Sequence, residues 1–308
     1  MSAFSIPGLF GKIPARADFV RVRAASPAAR EMVRWLEEGS EAAKRAGAPA
    51  GAGAVRFLFS PPGLAQVVVG VLKDSADQVG RRFPLAVFAV AEGRQLAAAF
   101  PLVPQGARTF LDAASALLDG SDRLAPQDLP ARLEALPVIG EDALARVEPG
   151  LAALAAGARV SELMQRLFGE LHSGQHCYAL HCFRTACQPP RGRDPTGPGV
   201  VVDCPAQEDL DWFAWLELAR RALAGGRAPT FFWSEGGPGR LLIALGAPPA
   251  AAFAALWNPA HRDGKLWPLT TQRSEAIAAA KKSLGPAVMQ LLERPGASVA
   301  ELLSTLYP

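Results

Sequence analysis

The chain has 308 residues, 50% of them apolar and 20% charged, which is enough apolar matter for a large core in one big domain or two lobes. Lys and Arg number 32 against 29 Asp and Glu, for a formal charge of +3; so even a mixture of signs points to no nucleic-acid partner. The longest apolar stretches, Leu64 to Leu72 and Leu85 to Ala91, stop short of the roughly 20 residues that a membrane helix needs. The opening MSAFSIPGLFGKIPARADF lacks the basic start, apolar run and cleavage site of a signal peptide. The expectation is a cytoplasmic protein without direct membrane insertion, its four Cys reduced and not paired in disulfides.

In chain order, residues 4–23 predict an irregular or short-strand opening, broken by Pro7, Gly8, Gly11 and Pro14. A helix follows, capped by Ser26, with Pro27 in its first turn, Met32, Val33 and Leu36 on one face and Gly47 at its end. Pro49 to Gly53 reads as a turn. Val55 to Phe59 and Ala65 to Leu72 read as strands around the turn Pro61-Pro62-Gly63, with Leu85 to Val90 as a third. The connection KDSADQVGRRFP, residues 73–84, is dense in charge for a segment between two buried strands, and a surface feature is expected there.

Helices are expected near 109–118, 127–136, 141–155 and 161–172. Strands are expected at Cys177 to Ala186 and Gly199 to Val202, split by the loop QPPRGRDPTGPG. Asp209 opens an amphipathic helix carrying Trp212, Trp215, Leu216, Ala219 and Leu223, which Gly225 and Gly226 end. Thr230 to Trp233 and Arg240 to Leu245 form a hairpin around SEGGPG. The tail adds a helix near Ser274 to Leu292 and a last one capped by Ser298, with Glu301 placed for a capping box. Strand pairs interleaved with amphipathic helices predict a mixed, largely antiparallel sheet covered by helices on both faces.

Several kinds of chemistry find no support. GLFGKIP, residues 8–14, has neither the spacing nor the hydroxyl of a P-loop, and no Gly-Xaa-Ser-Xaa-Gly elbow occurs. Three of the four His and three of the four Cys fall between His172 and Cys187. If Cys177 to Ala186 is a strand, its alternation sends His181 and Cys177 to one face and Cys182 and His176 to the other, so no metal and no cofactor are expected. Lys12, Arg16, Arg21 and Arg23 make a basic group that reads as a solvated or partner-facing edge. Asp77 and Arg81 are four apart, so a helical turn pairs them and Gly80 permits a tight exit; a self-capping loop and a binding role both fit. Trp233, with Glu235, fits a core anchor or an exposed contact. Neither place assembles a nucleophile, a base and an orienting group, and no catalytic residue is expected.

Three stretches in order resemble the TagF (ImpM) family of type VI secretion: PGLFGKIPARADFV at the start, FLFSPPG and DQVGRRFPL in the middle, and PTFFWSEG followed by a strand and GAPP. They span residue 7 to about 250; Ala17 stands where the family usually has Gly. The resemblance implies a single three-layer α/β/α sandwich, placed at residues 5–260 with a helical segment near 106–172; the tail from 260 onward matches no part of the family pattern, and residues 261–308 read from their own caps and periodicity as a C-terminal helical extension. It implies a bacterial negative regulator, not an enzyme, acting after translation through the forkhead-associated (Fha) scaffold protein. Some members carry a PP2C-type phosphatase; its metal-holding Asp-Gly-Xaa-Gly is absent here, since Asp119-Gly120 and Asp263-Gly264 are followed by other residues. The residues expected to shape or present a partner surface are Lys12, Pro14, Asp18, Asp77, Arg81 and Trp233. Two other readings stand beside it: a structural or assembly component of the apparatus, and an uncharacterised enzyme acting on a phosphorylated partner. The oligomeric state is open.

Overall fold

A computed structural model describes residues 4–48, 51, 53–140, 142–188, 199–223, 226–234, 239–271 and 274–307. The expected roles of Pro49, Gly225 and Glu235, and most of the QPPRGRDPTGPG loop, lie outside those residues. The opening gives two short strands, β1 (Gly8–Gly11) and β2 (Val20–Val22), before helix α1 (Pro27–Arg45), whose cap Ser26 accepts the Ala29 N–H. Three strands follow, β3 (Ala54–Phe59), β4 (Gln66–Lys73) and β5 (Leu85–Glu92).

The helical stretch then runs through α2 (Gly93–Ala97), α3 (Val103–Gly106), α4 (Arg108–Asp119), α5 (Leu129–Glu134), α6 (Ala143–Gly157), α7 (Val160–Phe168) and α8 (Gln175–Cys187). The second half of the sheet comes from β6 (Val200–Pro205), β7 (Thr230–Trp233), β8 (Arg240–Leu245) and β9 (Leu266–Pro268). Between them lie α9 (Asp209–Ala222) and α10 (Ala252–Ala255), and α11 (Ser274–Leu284), α12 (Pro286–Glu293) and α13 (Val299–Leu306) close the chain.

The strands form one nine-stranded sheet in the order β2-β1-β5-β4-β3-β7-β8-β6-β9. Every pair is antiparallel except β6 with β9. Side chains alternate across a strand, so β4 sends Val67, Val69 and Val71 into one apolar cluster and Val68 and Leu72 into another. Both faces are covered, which is why β3, β4 and β5 read as almost unbroken apolar runs. Met32, Trp35 and Leu36 of α1, with Phe253 next to them from α10, close one face. Residues of α4, α6, α8, α9 and α13 close the other.

Two expected elements differ. Cys177 to Ala186 is not a strand but the core of α8. His176, Ala179, Leu180, Phe183 and Cys187 are buried at spacings of three and four, the period of a helix, and the stretch holds only one β-branched residue, Thr185. The alternation argument about its His and Cys therefore falls; they are strung along a helix instead, and no three His, Cys, Asp or Glu side chains among the described residues are placed to hold an ion. The expected helix from Ser274 to Leu292 is two helices, because Gly285 takes a φ of 84° and Pro286 starts the next.

The tail joins the main core through Leu284, Val288, Leu302 and Leu306, and Val160 N–H and Val299 N–H tie it to α7 and α6 through Ala297 and Ala158 carbonyls at 2.8 and 2.9 Å. Ser298 caps α13 as expected: its hydroxyl accepts Glu301 N–H at 3.2 Å while the Glu301 carboxylate accepts Ser298 N–H at 2.7 Å. Ser298→Ala is expected to cost about 1 kcal/mol, read as a lower urea midpoint with an unchanged slope. No helix among the described residues is long and apolar enough to cross a membrane.

Candidate functional site

The charged connection and the opening segment meet at one end of the sheet. β1 stops at Gly11, whose φ of 142° no L side chain adopts readily; a Cβ there would lie 2.1 Å from the Pro84 carbonyl oxygen. That close crossing passes the chain beside the start of β5 and points Lys12 at the connection. Lys12, 8% exposed, donates from Nζ to Asp77 Oδ2 at 2.9 Å, and Asp77 is 3% exposed. The Ser75 hydroxyl donates to the Lys12 carbonyl at 2.8 Å.

Asp77 then builds the turn. Its Oδ1 accepts Val79 N–H at 3.1 Å and Arg81 N–H at 2.8 Å, and its Oδ2 accepts Arg81 Nε at 2.7 Å as well as Lys12. Gly80, at φ 80°, closes it. The expected Asp77–Arg81 pair is present, but on a tight turn: Asp77 N–H reaches the Arg81 carbonyl and Ala76 bridges Arg82. Burial alone would raise the Asp77 carboxyl; the bond from Lys12, then those from the Arg81 amide and guanidinium and from Val79, outweigh it and hold it well below the usual carboxylate range.

A carboxyl depressed on folding stabilises the fold above its unfolded value, about 3.9, and the contribution is lost as pH falls through that value toward the folded one. Asp77→Asn is therefore expected to unfold at lower urea than the parent at neutral pH, with the gap closing below about pH 4. A gap of constant size across that range would show that the charge is not what Asp77 supplies. With both oxygens committed to four donors, Asp77 shapes backbone and is poorly placed to take a proton from a substrate.

The two segments are also clasped from outside. Gln78 N–H donates to the Arg16 carbonyl at 3.1 Å, and Arg81 Nη2 donates to the Ala17 carbonyl. Phe10 stacks on Phe19 at 5.4 Å and both meet Phe83 edge-on, at 5.7 and 4.8 Å, with Lys12 Nζ 5.2 Å from the Phe19 ring. Ala17 carries no strain, since Arg23 (φ 50°) is the one non-glycine with positive φ among the described residues. What remains outside is a rim: Pro14, Arg16, Asp18, Val79 and Arg81 are exposed, and Val79 is 65% exposed at the tip of the turn.

Of the expected surface residues, the structure brings together Lys12, Pro14, Asp18, Asp77 and Arg81, with Lys12 and Asp77 beneath the surface as its support. Trp233 does not join them. It sits in β7, 1% exposed, 5.4 Å from Phe231 and opposite Arg56 and Leu241, three strands from β5, about 14 Å away at the usual strand spacing. It anchors the core and presents nothing. The basic group is dispersed as well: Lys12 pairs with Asp77, Arg21 lies 3.7 Å from Glu37 and Arg23 pairs with Glu134.

Sequence reasoning missed Val79 and the Phe10–Phe19–Phe83 cluster. The available signal was a Val set among the polar residues of DQVGRR, and a Phe in each of the two segments that meet.

Residues 8–136 match the family model described as TagF N-terminal domain, type VI secretion system-associated. The match begins at β1 and takes in both segments of the rim. The crystal structure of PA0076 from Pseudomonas aeruginosa PAO1 is similar to this chain at 19% identity and a TM-score of 0.47, covering 85% of this chain and 98% of that one. No curated protein matches the chain.

Proposed function

From the match of residues 8–136 to the family model described as TagF N-terminal domain, type VI secretion system-associated, we propose that the chain is a binding module that restrains the secretion apparatus by engaging its forkhead-associated scaffold protein. The observation that carries this reading is the rim: an exposed Val79 and the charged Arg16, Asp18 and Arg81 stand on a support of buried Lys12 and Asp77. A preformed apolar tip ringed by charge loses little freedom on binding, which favours recognition of a partner. In this reading the α/β/α layers over 5–260 hold the rim rigid and the helices of 261–308 brace them from behind.

The test is secretion of the tube protein in cells that lack or overproduce this chain, with capture of the scaffold from the same cultures. Raised secretion on deletion, silence on overproduction and a recovered scaffold support the restraint. Secretion abolished by deletion would replace it with the reading as a component of the apparatus.

Within the rim, Arg81→Glu is expected to weaken scaffold capture about tenfold or more, because it puts a carboxylate against the buried Asp77 and reverses the charge that a partner meets. Unchanged capture would remove Arg81 from the interface.

A further inference from the structure

At the opposite end of the sheet, Ser60 after β3, Gly63 and Ala65 before β4, Arg94 in α2, and Gly226 and Arg227 before β7 line a concavity of about 350 Å³. The eight residues of β4 separate it from the Asp77 turn, about 25 Å at the rise of a strand. Among the described residues no acidic side chain lines it. Glu92, next to it in sequence, takes its hydrogen bond from Gln66 at 3.3 Å instead.

Its two arginines differ from most in this molecule. Most of the others, among them Arg81, Arg166, Arg220 and Arg240, lie within reach of a carboxylate. Arg94 and Arg227 have no such partner among the described residues; Arg227 Nη2 donates only to the Pro61 carbonyl, at 2.8 Å. Partial burial pushes the Arg227 guanidinium below its ordinary value with nothing opposing it. Ser60, 7% exposed, adds a hydroxyl to the same wall.

We propose that this concavity binds a small phosphate-bearing molecule, its phosphoryl oxygens held between Arg94 and Arg227. Two planar guanidinium groups over one hollow match a multiply charged oxyanion, whose several oxygens can accept from both at once, better than a single carboxylate. The volume suits a small ligand. The site stands apart from the rim and does not depend on the secretion reading.

The test is calorimetry and thermal unfolding of the full chain with inorganic phosphate, pyrophosphate and acetate, at matched ionic strength. Saturable binding of phosphate or pyrophosphate, stronger than acetate, is expected, with affinity reduced about tenfold or more in Arg94→Met and Arg227→Met and unchanged in Arg123→Met. Without ligand, Arg227→Met should unfold close to the parent temperature, because the side chain is exposed and gives up only its bond to the Pro61 carbonyl. Absence of saturable binding, or binding that survives both substitutions, overturns the proposal. Arg227→Met that melts lower without ligand, together with Arg94→Met of parental affinity, makes Arg227 a strut for the Pro61 loop and overturns it too.

Discussion

Gly11→Ala is expected to be the most destabilising small substitution at the rim, costing more than about 4 kcal/mol. Two independent penalties meet there. The φ of 142° is strained for any L side chain, and the added Cβ would lie 2.1 Å from the Pro84 oxygen and 2.7 Å from the Leu85 Cα. Both obstacles are backbone, so no rotamer change relieves them; β1 has to part from the start of β5. Gly80 is the control. It also has a positive φ, 80°, but none of the described residues lies within 4 Å of its Cβ position, so Gly80→Ala should cost only about 1–2 kcal/mol. Urea midpoints of the two variants separate the cases; equal losses would mean that the β1–β5 crossing is not as tight as described.

Asp211→Ala is expected to cost about 3–5 kcal/mol. The Asp211 side chain is fully buried, and its Oδ2 accepts the Gln207 and Glu208 N–H groups at 2.8 and 3.1 Å while its Oδ1 takes Arg166. It starts α9 and ties that start to α7. The helix carries Trp212, Trp215 and Leu216 into the main core, and Trp215 Nε1 donates to the Pro205 carbonyl at 2.9 Å. Removing the carboxylate leaves two amides and a guanidinium without their acceptor, and Arg166 holds its proton more firmly than usual because the Asp211 bond and charge outweigh its burial. Asp211→Asn, which keeps an acceptor oxygen and loses the charge, should lose about half as much. Chemical denaturation with Trp fluorescence reads both variants, and an alanine loss under about 1 kcal/mol would mean that Asp211 does not hold the start of α9.

How far these elements could be read in advance follows from how local their causes are. Helix α1 announces itself within a few residues through Ser26, Pro27 and the Met32–Leu36 face, and α13 through the Ser298–Glu301 box. The strands β3 to β5 are legible because burial on both faces leaves runs of Val, Leu and Phe with little else. Helix α8 was not, because Cys, His, Tyr and Phe favour neither state strongly and the deciding fact, its burial against α11 and α9, is tertiary.

The rim was legible in part. Asp77 and Arg81 stood out as a pair, but Gly80 turns the chain before a helical turn can form. Lys12 lies 65 residues from Asp77, and no periodicity links them. The place of Trp233 depends on β7 joining β3 through Phe57 and Phe232, a pairing set by the sheet order and not by neighbours in sequence.

The most direct test of the proposed role is capture of the scaffold protein and secretion of the tube protein in cells that carry Val79→Glu at normal protein level. Val79 is 65% exposed and donates only its N–H, to Asp77, so the substitution is expected to leave the fold intact, which an unchanged urea midpoint checks. The expected result is loss of scaffold capture, with secretion raised as far as deletion raises it. Scaffold capture and secretion both equal to those of the parent would show that the rim is not where this protein acts.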